Sequence, residues 1–413
     1  MNEHPVRLIV SDDLRRGHGS VFFRLWFSLP LFLWLALWAI AVFFVAIANW
    51  FATLARGSSP APLHGFLARF VRYATHVYAY FNLGAEPLPN FDGKPGYPID
   101  LEIDAARRQN RWTVAFRIVL AFPALLISFA LVGSSVLLTQ ANLNYSSFGL
   151  MAAMSFLGWF VALAWGRMPR GMRDAIAYAL SYGAQLWAYL LLLTDRYPNS
   201  DPQAALRSLP VRSDPVSLQN DDDLRRSRLT VFFRLLLALV HLLWLAVWGL
   251  ATLVAAIVNW VATLIGGRSP GSLHRFLAAY VRYRVHVYAY LLLVANPFPG
   301  FLGQSGSYPV EARIAPPERQ NRWTVFFRLV LALPVMIIVS AYGGVLMVVA
   351  MLGWFAALVT GRMPLGMRNA GALAIRYSAQ AHGYLLLLTD SYPYSGPTAA
   401  APAGLAGSQD PFA

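Results

Sequence analysis

The chain has no cysteine among its 413 residues and a single lysine, Lys94. The first absence excludes disulfides, thiolate metal sites and a cysteine nucleophile. Charge is scarce as well: Asp, Glu, Lys and Arg make up 13% of the residues, against about 25% in an average soluble domain. What charge exists leans basic, 33 Lys and Arg against 19 Asp and Glu, a formal +14. It is missing altogether from residues 25–55, 118–166, 235–267 and 329–361. A soluble basic protein spreads its charge over a polar surface, whereas here the charges crowd between apolar runs, so a nucleic-acid partner is excluded. Each run exceeds the roughly 20 apolar residues that cross a bilayer. The run after Arg24 is too long for a signal peptide and reads as a retained membrane anchor. There is no Ser-His-Asp arrangement, Gly-rich phosphate loop, HExxH or paired-carboxylate motif, so no catalytic residue, cofactor or metal is expected.

What is present is a fourfold repeat. Phe-Arg pairs at Phe23-Arg24, Phe116-Arg117, Phe233-Arg234 and Phe327-Arg328 open the uncharged runs. Trp50, Trp159, Trp260 and Trp354 close them, each ten residues before Pro60, Pro169, Pro270 or Pro364. Tyrosines recur at +13 and +20 after each proline, as at Tyr73 and Tyr80. Copies one and three share HVYAY, and copies two and four share RQNRWTV and LLLLTD, so the order is A-B-A-B with a period of 211 residues, as from Arg117 to Arg328. The organisation is 1–95, 96–200, a linker at 201–214, 215–305, 306–395, and an Ala-, Gly- and Pro-rich tail at 396–413 expected to be disordered.

Each copy reads in three parts. A short alternating run (Val6–Val10, Ile99–Ile103, Val216–Leu218, Val310–Ile314) predicts a cytoplasmic edge strand. The uncharged run follows. As one straight helix, residues 25–55 would measure about 46 Å, well over a 30 Å hydrocarbon core. In copy two the run gains the polar insertion at 139–147, which suits the tip of a hairpin rather than a lipid-facing helix. Tyr342-Gly343-Gly344 offers another tip in copy four. Last comes a helix of some 22 residues after each proline, with a wheel pattern that predicts an amphipathic interfacial helix, Arg outward and Tyr at headgroup level, the alternative being a third span, which the uncharged residues 175–194 could form. The expected fold is thus an all-α integral membrane protein with short β-strands: four transmembrane hairpins, about eight spans, four interfacial helices. All Arg clusters then lie on one side, placing both termini in the cytoplasm of a bacterial plasma (inner) membrane.

The runs YPVEARIAPPERQNRWTVFFRLVLALP (308–334), GWFAALVTGRMPLGMRN (353–369) and AHGYLLLLTDSYPYS (381–395) resemble the bacterial membrane family known as domain of unknown function 4389 (DUF4389), common in actinobacteria. Copy two is similar through GRMPRGM and LLLLTDRYP, while copies one and three keep the Arg, Gly-x-x-Pro and Tyr landmarks and lose the TDxYP ending. The resemblance covers nearly the whole chain in tandem copies. It implies a membrane protein and implies no activity.

Candidate site residues follow from the repeat. Arg24, Arg117, Arg234 and Arg328, with Arg72, Arg282 and Arg376, are candidates for lipid-headgroup phosphate, the alternative being interface arginines snorkelling at helix ends. The +16 positions His76, Gln185, His286 and Gln380, with Asn49 and Asn259, are candidates for a polar intramembrane or interfacial site, the plainer role being interhelical hydrogen bonding. His241, Asp195 and Asp390 are read as locally bonded residues. The functional expectation is a non-enzymatic membrane module that binds anionic lipid and organises a membrane patch or a complex, alone, as a homo-oligomer or with a membrane partner. A transporter built from parallel repeats, its path lined by Asn49, Asn259, Gln140 and the +16 residues, is the alternative. A lipid-modifying enzyme ranks last.

Overall fold

The computed structural model describes residues 3–133 and 149–399. The polar insertion at 139–147, with Gln140, and the tail from residue 400 lie outside the described residues. The chain forms two units, one ending at Leu209 and the other beginning at Pro210, each holding one A and one B copy.

In the first unit β1 (Val6–Val10) leads into α1 (His18–Arg56), and Pro60 caps α2 (Ala61–Phe81). Copy B supplies β2 (Ile99–Ile103), the short α3 (Arg111–Ala115), α4 (Arg117–Leu120), α5 (Phe122–Val132), α6 (Leu150–Trp165) and α7 (Arg170–Leu190). The second unit repeats this as β3 (Val216–Asn220), α8 (Arg228–Phe232), α9 (Arg234–Gly266), α10 (Gly271–Leu291), β4 (Val310–Ile314), α11 (Arg322–Phe326), α12 (Arg328–Thr360) and α13 (Leu365–Leu385).

Where the whole uncharged run is described, in copies one, three and four, the expected hairpins are not formed. In three copies the uncharged run is one unbroken helix, of 39 residues in α1 and 33 in each of α9 and α12. Neither Ala39 nor Gly249 nor Gly343-Gly344 turns the chain, because a helical glycine costs only about 1 kcal/mol and the flanking residues are good helix formers. Each helix stops where the sequence requires it, at a glycine in the left-handed region: Gly57, Gly267 and Gly361 have φ of 77°, 68° and 70°. In copy two, α5 and α6 flank the insertion, and a Cβ on Gly149 would collide with the backbone of Gly133, so their facing ends meet. These three long helices are long and apolar enough to cross a membrane, which supports a membrane protein but not a count of eight spans.

The strands form as expected, β3 two residues longer, and they pair across copies. β1 runs antiparallel to β2 with Leu8 opposite Leu101, and β3 to β4 with Leu218 opposite Ala312. Each ribbon lies on the post-proline helices: β1 on α7, β2 on α2, β3 on α13 and β4 on α10. Those helices are therefore a middle layer, packed between ribbon and long helices, and not interfacial helices as the wheel implied. Tyr73 and Tyr80, expected at headgroup level, are buried, with Tyr73 beside Trp38. The start of the tail is likewise held, Ala399 bridging Val211.

A and B copies clasp each other reciprocally. The Trp50 indole donates to Val114 O (3.0 Å), and that of Trp159 to Val21 O (3.1 Å). Gln109 N donates to Gly57 O, and Arg16 N to Gly166 O, both at 2.8 Å. In the second unit Trp260 reaches Val325 O and Trp354 reaches Val231 O. Each unit is thus a pseudo-twofold pair with its ribbon on the axis, and the start of one copy's long helix touches the end of the other's.

Candidate functional site

The arginines at the helix heads are turned inward. Arg24, Arg117, Arg234 and Arg328 are at most 3% exposed. Each guanidinium lies over the +20 tyrosine, Tyr80, Tyr189, Tyr290 or Tyr384, at 4.0–4.5 Å from the ring centre. Arg24 donates to Tyr80 O (2.6 Å), Ala85 O (3.2 Å) and Glu86 Oε2 (2.6 Å). Arg234 donates to Tyr290 O, Ala295 O and Asn296 Oδ1, Arg117 to Thr194 O and Gln109 Oε1, and Arg328 to Thr389 O, Gln320 Oε1 and Asp390 Oδ1. These carbonyls lie at or just beyond the C-terminal end of a post-proline helix, where a cation is favoured. The groups are buried and both terminal nitrogens of each are engaged within the fold, so the expected headgroup contact is corrected at these four positions.

A second set of residues was missed by sequence reasoning. Arg16, Gln109, Arg226 and Gln320 stand eight residues before the head arginines and bond the carbonyls of Leu83, Leu192, Leu293 and Leu387. All four leucines have φ between 60° and 64°. The left-handed turn aims their carbonyls at the same pole. The fixed spacing of eight was the available signal, hidden because the residue alternates between Arg and Gln.

The other candidates also turn inward. Arg72 donates to Leu101 O, Arg282 to Gly303 O, and Arg376 to Thr398 Oγ1, Tyr394 O and Gly396 O. The +16 residues face the ribbon. His76 Nε2 donates to Asp100 Oδ1 at 2.9 Å and His286 Nε2 to Glu311 Oε2 at 3.0 Å, while Gln185 and Gln380 reach Val6 O and Val216 O. Burial raises the Asp100 carboxyl, but bonds from His76 and from the Gly96 and Leu101 amides outweigh it and hold the group below its ordinary range. Asn49 donates to Leu191 O and accepts from Ser59 Oγ, and Asn259 does the same with Leu386 O and Ser269 Oγ. In the B copies the paired positions are Gly158 with Met168 and Gly353 with Met363, where a Cβ on the glycine would strike the methionine. His241 bonds the Tyr283 hydroxyl, and Asp390 bonds Arg328 and Thr324. Asp195 is exposed, whereas the other polar candidates above each make local bonds within their own unit.

What remains unsatisfied is the outer face of the long helices. On α1, Val21, Arg24, Ser28, Leu31, Val42, Asn49 and Thr53 are buried, a strip about 80° wide on a 100° wheel. Phe22, Trp26, Leu33, Leu37, Phe44 and Phe51 are exposed across the opposite side. The polarity is inverted: the inner strip carries the Arg, Ser, Asn and Thr, and the outer face is apolar. On α9, Arg234, His241, Thr252, Asn259 and Thr263 are inside, while Leu236, Leu243, Val247, Leu250 and Ile257 are outside. A helix of 39 residues is about 58 Å long and about 10 Å wide, so the face of α1 alone approaches about 500 Å², the upper range of patches on soluble monomers.

A family model described as Domain of unknown function (DUF4389) matches the chain four times, over residues 18–91, 136–200, 228–302 and 322–395. No curated protein and no solved structure matches it.

Proposed function

The chain belongs to the DUF4389 family as four tandem copies, and from that premise we propose that each A-B pair is a non-enzymatic membrane module whose long helices lie in the plane of one leaflet, organising anionic lipid beneath a polar ribbon. The observation that carries this is the reciprocal contact of helix ends. A twofold axis puts the starts of both long helices at one height, and both ends at one height. Since start touches end, through Trp260 and Val325 and through Trp354 and Val231, the two heights coincide. Each helix therefore runs perpendicular to the axis.

If those helices crossed the bilayer, the axis would lie in the membrane plane and the ribbon would sit level with the hydrocarbon centre. The first ribbon carries Arg7 bonded to Asp104 and Glu102, and Arg207 on Glu102. Charges at that depth are costly. With the axis along the membrane normal, the apolar faces enter the acyl region, the post-proline helices form a second layer, and the ribbon stands in water. Charge distribution supports the same reading. Arg15 and Arg167 gather where copy A starts and copy B ends, and Arg56, Arg107 and Arg111 where B starts and A ends. Basic residues at both ends conflict with the positive-inside bias for a crossing helix and suit one cytoplasmic surface. Basic residues along that rim favour anionic headgroups.

The cysteine-free chain allows a direct test. Gly19→Cys and Ala55→Cys mark exposed positions at the two ends of α1. In sealed vesicles an impermeant maleimide labels both from the same side if α1 lies in plane. Labelling from opposite sides rejects the proposal.

A further inference from the structure

The two units differ at one place on their axes. Positions +14 and +18 of each post-proline helix lie about 200° from +16 on a 100° wheel, on the face turned away from the ribbon. In the second unit they are Arg284 and Tyr288 on α10, and Ser378 and His382 on α13. All four line a cavity of about 200 Å³ whose remaining wall is apolar, including Val285, Val339, Leu346 and Met347. In the first unit the same positions are Ala74, Tyr78, Gly183 and Trp187, with no cation. The repeat fold therefore does not require a charge here.

Arg284 lies over the Tyr288 ring at 5.0 Å and against the His382 imidazole. His382 Nδ1 donates to Ser378 O at 2.6 Å, which leaves Nε2 as the acceptor for Arg284. Burial and the adjacent guanidinium push His382 down to about 4, so at neutral pH the pair carries one positive charge. Among the described residues no carboxylate stands within 4.0 Å of Arg284. A guanidinium facing an apolar groove without a counter-ion is a site for an anion that brings hydrocarbon with it.

We propose that this groove binds one anionic membrane phospholipid, its phosphate on Arg284 and an acyl chain against α12. This rests on the in-plane reading, which turns the face away from the ribbon toward the bilayer. The phosphate supplies the paired acceptor oxygens that a guanidinium fork matches, and the open glycine at 343 leaves room for the chain.

The test is native mass spectrometry of the full chain from vesicles of phosphatidylglycerol and phosphatidylcholine in equal parts. Wild type is expected to retain one phosphatidylglycerol per chain, not displaced by 10 mM glycerol phosphate. Arg284→Met is expected to lower that retention at least tenfold, Arg284→Lys to restore part of it, and Arg275→Met, on the exposed side of α10, to leave it intact. Gly343→Phe keeps the charge and fills the groove in a helix with open space at that position, so it is expected to lose the lipid while remaining folded. Equal retention in Arg284→Met and wild type, equal loss in Arg275→Met, or displacement by glycerol phosphate overturns the site. Flotation with the same vesicles separates the two claims: variants that float normally but lack the lipid support the site, and a wild type that does not float overturns the in-plane reading itself.

Discussion

At the scale of residues, the same structural place is filled in two chemically different ways. A copies use Asn49 with Ser59, and Asn259 with Ser269, joined by 2.7 Å hydrogen bonds. B copies use Gly158 with Met168, and Gly353 with Met363, where the thioether occupies the space an Asn side chain would need. Each pair fits only as a pair. Ser59→Met alone inserts a long side chain against Asn49, and Asn49→Gly alone leaves a hole and an unbonded Leu191 carbonyl. In a double-mutant cycle on thermal unfolding, the two changes together are expected to cost less than their sum by about 1–2 kcal/mol; strict additivity contradicts the account. Titration has a defined sign at this scale. Burial lowers His4, His64, His274 and His382, and hydrogen bonding outweighs burial to lower Asp100. All five bind fewer protons folded than unfolded, so stability is full above pH 6.5 and falls as the histidines' unfolded forms protonate, with His382 still contributing down to about pH 4. Asp100 adds to the loss only below its unfolded value, near 3.8. The denaturation midpoint at pH 5 is expected below that at pH 7.5, and a rise on acidification contradicts the assignment.

At the scale of elements, the strands, the proline-capped helices and the Gly stops are legible in the sequence, because turn chemistry and local periodicity specify them. The long helices depart from the expected hairpins for a physical reason. A run of about 46 Å overshoots a 30 Å crossing, which makes a turn look necessary, yet the chain keeps one helix. The clue against folding was Arg24, Ser28, Asn49 and Thr53, four polar residues that share one side of a helical wheel across a run that is otherwise apolar. The head arginines were legible as a repeated feature but not as buried ones, since the carbonyls that receive them come from residues 56 positions or more away. The exposed face makes a prediction of its own. Phe44 is 65% exposed on α1, its ring edge-on to that of the exposed Phe43. Phe44→Glu is expected to weaken vesicle binding by about 3 kcal/mol, roughly a hundredfold, with the unfolding temperature unchanged. A loss of fold without a loss of binding would place Phe44 in a packed interior instead.

At the scale of the molecule, four copies make two closed pairs. No copy completes itself: His76 of copy A is bonded by Asp100 of copy B, Gln185 of B by the strand of A, and each tryptophan at a helix end by the start of the other helix. The 211-residue period is therefore the repeat of the folded unit, and the shorter repeat within it is one half of a twofold. In the first unit that pairing brings basic residues to both ends of the long helix, Arg15 and Arg167 at one and Arg56 and Arg111 at the other. The central claim is the orientation of the long helices, and depth-dependent quenching tests it most directly. Single fluorophores at Phe27, Ile40 and Phe51 sample 24 residues of α1, about 36 Å and enough to traverse a 30 Å core. With lipids brominated at successive acyl positions, the account predicts one shallow depth for all three labels, within a single leaflet. A depth that runs from one interface through the bilayer centre to the other would contradict it.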